Sequence, residues 1–168
     1  AEVVGPAVSG ELRITGMIAV LCSILAIILY VWFRFEWQFA VGAVVALTHD
    51  VLITIGVFSI LQLEFDLSTV AALLTILGYS VNDTVVVSDR IRENLRKFKK
   101  LEINALLNRS INETLARTLM TSLTTLTVLV ALYVLGGEVI RNFTFAMMFG
   151  VIIGTYSSIF IAAPLLAR

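Results

Sequence analysis

"EFDLSTVAALLTILGYSVNDTVVVSDRIREN", residues 64–94, decides the fold. From Leu67 to Val87 it is almost unbroken apolar sequence, and then it runs into Arg90 and Arg92. A stretch of about 20 apolar residues is what a helix needs to cross a bilayer core of about 30 Å. Its length, and the absence of a period-two alternation, point to a helix and not to a barrel strand. Inside this apolar stretch sits one carboxylate, Asp83. Why an acid should stand there depends on what surrounds it.

The rest of the chain gives the same medium. Of its 168 residues 59% are hydrophobic and 14% charged, against about a quarter charged in soluble domains. The mean hydropathy is +0.98. Four further apolar windows read as spans, at about 14–33, 39–61, 118–135 and 143–166. The expected fold is an all-α membrane protein, an antiparallel polytopic bundle of five transmembrane helices. The links "RFEW" (Arg34–Trp37), "QLEFD" (Gln62–Asp66) and "GGEVIR" (Gly136–Arg141) are short enough to force neighbouring helices antiparallel. Trp32, Phe33, Phe35 and Trp37 are expected to form an interfacial aromatic belt. Cys22, the single cysteine, excludes a disulfide framework. The start at Ala1, with a polar lead, is expected of a fragment.

The net charge of zero hides a segregation. Arg90, Arg92, Arg96, Lys97, Lys99, Lys100 and Arg109 cluster between the third and fourth spans. Basic residues stay cytoplasmic, so this link is expected inside, together with Arg34 and Arg168. Glu2, Glu11, Glu64, Asp66 and Glu138 then fall outside, with only Arg13 and Arg141 among them. The N-terminus is expected outside and the C-terminus inside. Ile91, Leu95 and Phe98 recur at helical spacing among the basic residues, which reads as an amphipathic segment, about 89–112, lying along an anionic leaflet. No aromatic platform accompanies the basic patch, so nucleic acid is not an expected partner.

Ionisable groups inside a span cost roughly 2.5–3.5 kcal/mol on insertion scales and mark functional sites by default. Asp83 lies about 25 Å down its helix from Asp66, with Tyr79 one turn before it. Arg117 lies at nearly equal depth on the fourth span and heads a hydroxyl stripe, Thr121, Thr124 and Thr125. The two polar faces are expected to meet in the bundle interior, with Tyr79, Thr121 and Thr125 lining the cavity. Desolvation favours the neutral acid and a nearby guanidinium favours the carboxylate, so a movable Arg could switch Asp83. The plainer reading of Asp83 is a static structural carboxylate. For Arg117 it is snorkelling with an ion pair to Glu113, four residues away. Asp50 lies near the midplane with Thr54 at i+4. It reads equally as a secondary relay or as a capped structural acid. His49, its neighbour, points about 100° away and is expected to be a packing residue, because one His does not make a metal site. Gly42 with Ala46, and Gly150 with Gly154 and Ser158, are small-residue pairs that let helices approach. They put the fifth span in the bundle centre, where Tyr156, Ser157 and Ser158 bring hydroxyls that water could follow. No phosphate-binding loop is present, so no ATPase of its own is expected, and no cofactor or metal.

These residues resemble the SecF-type members of the SecD/SecF protein-export family, within the RND-type transporter group. The resemblance covers nearly the whole chain. It rests on "YVWFRFEWQFAVGAVVALTHD" (Tyr30–Asp50), the opening stretch (Glu64–Asn94), "ETLARTLMTSLTT" (Glu113–Thr125), "GGEVIR" and "GTYSSIFIA" (Gly154–Ala162). It implies six spans with an external domain after the first, so that residues 1–13 would be the tail of that domain and 14–168 the bundle. It implies a multi-pass protein of the bacterial inner membrane, with SecD, the SecYEG channel and the translocating polypeptide as partners. Proton flow would assist the late, external stage of export. Asp83 falls on the Asp associated with proton conduction and Arg117 on the gating Arg of the next span. Leu123 departs from the family pattern, where Gly is common. Two other readings compete. One is a passive membrane scaffold. The other is an intramembrane aspartyl protease using Asp50 and Asp83, which lacks the expected Gly-x-Gly-Asp context.

Overall fold

The structure, a computed structural model, describes residues 6–34 and 37–165, and of residues 6–9, 12 and 13 the backbone alone. Five helices are long and apolar enough to cross a membrane. They are α1 (Pro6–Arg34), α2 (Trp37–Ile60), α3 (Leu67–Lys97), α4 (Ile103–Leu135) and α5 (Arg141–Ser157). α5 continues through a π turn, Ser158–Ala162, and one last helical turn, Ala163–Leu165. No strand occurs among the described residues. The chain is an all-α polytopic membrane protein.

Local chemistry sets the breaks. α2 ends where Gln62 takes a left-handed φ of 51°. Asp66 then caps α3: its Oδ1 accepts from the Thr69 backbone N at 2.8 Å and from the Ser68 hydroxyl at 2.7 Å. α4 ends at Gly136, and Gly137 turns the chain at φ 77°, a region open to glycine at no steric cost. Residues 6–13 are helical and continuous with the first span, and residues 1–5 of the expected external tail lie outside the described residues.

α3 and α5 form the centre, each burying 50% of its membrane-crossing window, while α1 and α4 bury 11% and 17%. Small residues permit the closest approaches. A methyl group added at Gly150 would fall 2.2 Å from Ile76 Cδ1 of α3, and one at Gly42 of α2 would fall 3.0 Å from the Ala162 carbonyl oxygen in the π turn. At Gly154 the neighbour is Ser80 of α3, at 3.2 Å. Trp32, Phe33 and Trp37 are exposed beside the α1–α2 link, and Phe35 lies outside the described residues.

The basic link departs from expectation. α3 has 31 residues and α4 has 33. At 1.5 Å per residue each exceeds a core of about 30 Å by roughly 15–20 Å. The basic residues stand on this helical hairpin, not on a separate helix lying flat. Ile91 is buried among Leu106, Leu107 and Val87. Phe98 packs against the same cluster, with the Arg109 guanidinium 4.2 Å above its ring. Ile91 and Phe98 face the partner helix, because antiparallel α4 offers them a dry surface closer than any lipid, whereas Leu95 is exposed. Asn94 ties the hairpin further, donating to Ser110 Oγ and to Glu113 Oε2, each at 2.9 Å.

Candidate functional site

Two buried acids occupy the interior, and their surroundings differ. Asp50 on α2 is 0% exposed. Its Oδ2 accepts from Ser80 Oγ of α3 at 2.6 Å and from Ser157 Oγ of α5 at 2.8 Å. Its Oδ1 lies 3.2 Å from His49 Nδ1. Three helices thus converge on one carboxylate. His49 and Asp50, expected to point apart, touch each other instead. The Thr54 hydroxyl donates to the Asp50 backbone carbonyl at 2.7 Å and leaves the carboxylate to the serines.

Asp83 on α3 is 3% exposed, and its Oδ2 is buried with no hydrogen-bond partner among the described residues. Thr84 Oγ1 and Thr118 Oγ1 are in the same condition. Buried polar atoms are almost always satisfied, so these mark a part of the α3–α4 region not locked by protein hydrogen bonds. No ion pair joins Asp83 to Arg117 of α4 among the described residues, and Arg117 is exposed. The alternative partner, Glu113, is already engaged by Arg90 at 2.8 Å and Arg109 at 2.9 Å.

The face of α4 that enters the bundle is not the expected one. Arg117 and Thr121 are exposed and Thr125 is half-buried. The Thr121 and Thr125 hydroxyls turn back onto their own helix, to the Arg117 carbonyl at 2.6 Å and the Thr121 carbonyl at 2.8 Å. The buried stripe is Thr114, Thr118 and Ser122, one position, about 100°, around the helix. Two hydroxyl stripes run side by side on α4.

Ser122 links three helices. The Tyr79 hydroxyl of α3 reaches Ser122 Oγ at 3.5 Å, and Ser122 Oγ lies 2.6 Å from Thr155 Oγ1 of α5. Asp83 is one turn beyond Tyr79 on α3, and Thr118 is one turn before Ser122 on antiparallel α4, so both lie one layer closer to the basic end. Ser157 and Ser158 are buried, whereas Tyr156 is exposed. Sequence reasoning missed Ser80, Thr118, Ser122 and Thr155. The signal was a hydroxyl once per turn, Thr114–Thr118–Ser122, overlooked beside the Arg-headed stripe.

A cleft of about 690 Å³ lies elsewhere, between α1, α2 and the start of α3. Its lining, which includes Met17, Val51, Leu52, Phe58 and Leu73, holds no ionisable side chain. A shared-proton dyad of Asp50 and Asp83 is not formed either: Asp50 Oδ2 is committed to two serines, and Asp83 Oδ2 is bonded to neither acid nor hydroxyl.

Comparison with known proteins follows this geometry. The family model described as "Protein export membrane protein SecD/SecF, C-terminal" matches residues 1–168. A "Protein translocase subunit SecF" of Cereibacter sphaeroides is 61% identical over 161 residues, 96% of this chain and 50% of the relative. That of Rhodobacter capsulatus is 60% identical over 96% of this chain and 48% of the relative. The chain spans about half the length of the curated relatives it matches. The crystal structure of SecDF, a translocon-associated membrane protein from Thermus thermophilus, superposes with a TM-score of 0.91 at 54% identity, over 96% of this chain and 22% of that one. A SecDF structure in a super-membrane-facing form gives 0.87 at 50% identity, over 98% and 22%. With a family match along its whole length and at least half of its aligned residues identical to these relatives, the chain belongs to the SecD/SecF family of protein-export membrane proteins.

Proposed function

We propose that this chain is the membrane part of an accessory subunit of the Sec protein translocase. It couples the proton motive force to the late, external stage of polypeptide export. The observation that carries this reading is Asp83, a buried carboxylate with an unpartnered oxygen at the depth of Arg117. A carboxylate locked by hydrogen bonds could not cycle, whereas one whose nearest charge is held off can gain and lose a proton as that charge moves. Moving one charge through 100 mV is worth about 2.3 kcal/mol, so a few protons per cycle suffice to drive helix movements.

The partners are a SecD-type subunit, the SecYEG channel, the translocating polypeptide and membrane lipid. The names of the relatives support the first two. The basic hairpin lies in the cytoplasm and the Glu64 and Glu138 end faces outward, across the bacterial inner membrane. Asp83 and Arg117 form the relay, Tyr79 lies beside it, and Asp50 with Ser157 forms a secondary node. Neither an ATPase nor another enzymatic activity is part of the proposal.

The test is polypeptide export by inverted vesicles containing the full-length protein with its partner, with and without an imposed proton gradient. Asp83→Asn keeps the shape and removes the titration. It should insert and copurify with the partner yet lose gradient-dependent stimulation. An Asn variant that stimulates export like the wild type favours the passive scaffold.

A further inference from the structure

We infer that Tyr79, Ser122 and Thr155 form the proton-transfer relay on the outward side of Asp83. This rests on the proposed proton coupling and extends it to three side chains on three helices. Each hydroxyl lies at one depth. Tyr79 is 13 residues past Asp66 on α3, Ser122 is 13 residues before Leu135 on α4, and Thr155 is 14 residues past Arg141 on α5. At 1.5 Å per residue all three sit about 20 Å from the outward end. Asp83 lies one turn further in, so a proton exchanged with the outside crosses this layer.

The hydrogen bonds give the layer a direction. A Thr or Ser hydroxyl has one proton to donate. That of Thr155 goes to the Val151 carbonyl at 2.8 Å. Ser122 must then donate to Thr155, and Tyr79 to Ser122. The donors run away from Asp83 and end on a backbone carbonyl. As drawn, the chain is closed, because that carbonyl has no proton to pass on. The path is completed only when the Thr155 hydroxyl turns from Val151 to a water that has entered the outward half of the bundle, about 20 Å from the outward end. Asp83 Oδ2 makes no hydrogen bond to Tyr79 in this state, so a water must bridge them. The proton leaving Asp83 then reaches the Tyr79 oxygen as the Tyr79 proton passes to Ser122. The Ser122 proton passes to Thr155, and the Thr155 proton to water. One proton moves out and each oxygen keeps one. Reversing the three hydroxyls carries a proton inward. Within the three hydroxyls the 3.5 Å separation of Tyr79 and Ser122 is the weakest link, where a small α3–α4 shift breaks or makes the chain.

The other titratable groups near the layer are accounted for. Asp83 on α3 is the terminus, and Arg117 on α4 is exposed. Asp50 on α2, with His49, is held on the neighbouring face of α3 and α5 by Ser80 and Ser157. Tyr156 on α5 is exposed.

Proton uptake is measured in proteoliposomes holding the full-length protein and its partner, under an imposed membrane potential. Tyr79→Phe, Ser122→Ala and Thr155→Val should each lower uptake about tenfold, the scale of one lost hydrogen-bonded step. Copurification with the partner should be unchanged, and Tm should fall by no more than a few °C, the cost of one hydroxyl losing its partner. The hydroxyl-keeping variants Ser122→Thr and Thr155→Ser should conduct like the wild type. If the hydroxyl-free variants that insert conduct normally, or if the hydroxyl-keeping ones fail equally, the relay is wrong. Asp83→Asn is measured alongside. If it abolishes uptake while Tyr79→Phe and Ser122→Ala do not, the relay falls and the proposed role of Asp83 stands. If Asp83→Asn conducts like the wild type, both fall.

Discussion

Replacing Asp50 by Ala tests how the centre of the bundle is held. Two hydroxyls point at one carboxylate oxygen, and the three residues are fully buried. Average side-chain hydrogen bonds in membrane proteins are worth only about 0.6 kcal/mol each, because the reference state also finds partners. Two such bonds would give about 1.2 kcal/mol. Truncation does more than remove average bonds, since it strands the partners. A buried hydroxyl left without a partner costs about 1–3 kcal/mol. Ser157 has a fallback, the Gly154 carbonyl at 3.2 Å. Ser80 has none among the described residues. The expected cost of Asp50→Ala is therefore about 2–4 kcal/mol, most of it from Ser80. That corresponds to a fall of roughly 5–10 °C in Tm for a unit of this size unfolding alone, and to a smaller fall where a larger unit unfolds with it. Asp50→Asn keeps one acceptor oxygen, so it should cost about 1 kcal/mol or less. The triple variant Asp50→Leu, Ser80→Ala, Ser157→Ala removes all the polar partners together and should be nearly as stable as the wild type, as for buried pairs replaced by apolar groups. The assay is thermal unfolding of the full-length complex in lipid nanodiscs. A Tm for Asp50→Ala within about 2 °C of the wild type, or a triple variant less stable than Asp50→Ala, refutes the closed three-helix node.

Three further outcomes follow from single features. Asp66→Ala removes the α3 cap and should cost about 1 kcal/mol at neutral pH. Burial raises the Asp66 pKa, but hydrogen bonds from Ser68 and Thr69 outweigh it and leave the folded value below 3.8. The cap's ionised form thus stabilises fully above the unfolded value, and its contribution disappears as pH falls below about 4, so mutant and wild type should converge in acid. Gly150→Ala puts a methyl group 2.2 Å from Ile76 Cδ1 and 2.4 Å from Cγ1, and overpacking of this kind costs about 1–3 kcal/mol. Ile76→Ala in the same chain should relieve the clash, and a double-mutant cycle showing no coupling would place the α3–α5 contact elsewhere. Cysteines placed at Lys99 and Lys100 should be labelled from the cytoplasm only, and one at Glu138 from outside only; outside labelling at Lys99 inverts the orientation.

Hydropathy made the five helices legible, because in lipid the backbone must satisfy itself and a 20-residue apolar run has no other outcome. It could not show where α3 and α4 end, since helix continues beyond the lipid wherever a partner helix covers it. Ile91, spaced as if for a leaflet, is buried against Leu106 and Leu107. Asp83 and Asp50 stood out from the sequence because a carboxylate in an apolar run has few bland explanations. The hydroxyl residues did not. Ser and Thr are tolerated anywhere on a membrane helix by bonding their own backbone, as Thr121, Thr124 and Thr127 do. Only neighbouring helices decide that Ser122 and Thr155 reach across while Thr121 does not, and a single sequence does not carry that choice.

The two buried acids divide two requirements that one residue could not meet. The proposed proton coupling would need a fixed frame and a group free to change state. Asp50 binds α2, α3 and α5 through two short hydrogen bonds, so any change at that carboxylate disturbs three helices at once. Asp83 sits one turn from Ser80 and Tyr79 on the same helix, yet its Oδ2 is tied to nothing among the described residues. Its counter-charge stands on α4, which buries only 17% of its membrane-crossing window. A helix so thinly packed moves relative to α3 and α5 at low cost, because few apolar contacts must be broken. The Asp50 node lies where packing is dense, α4 is less buried than α2, α3 and α5, and the 3.5 Å contact from Tyr79 to Ser122 spans the α3–α4 seam. Movement of α4 alone would then change both the distance of Arg117 from Asp83 and the continuity of the hydroxyl chain, while Asp50 keeps the rest of the bundle in place.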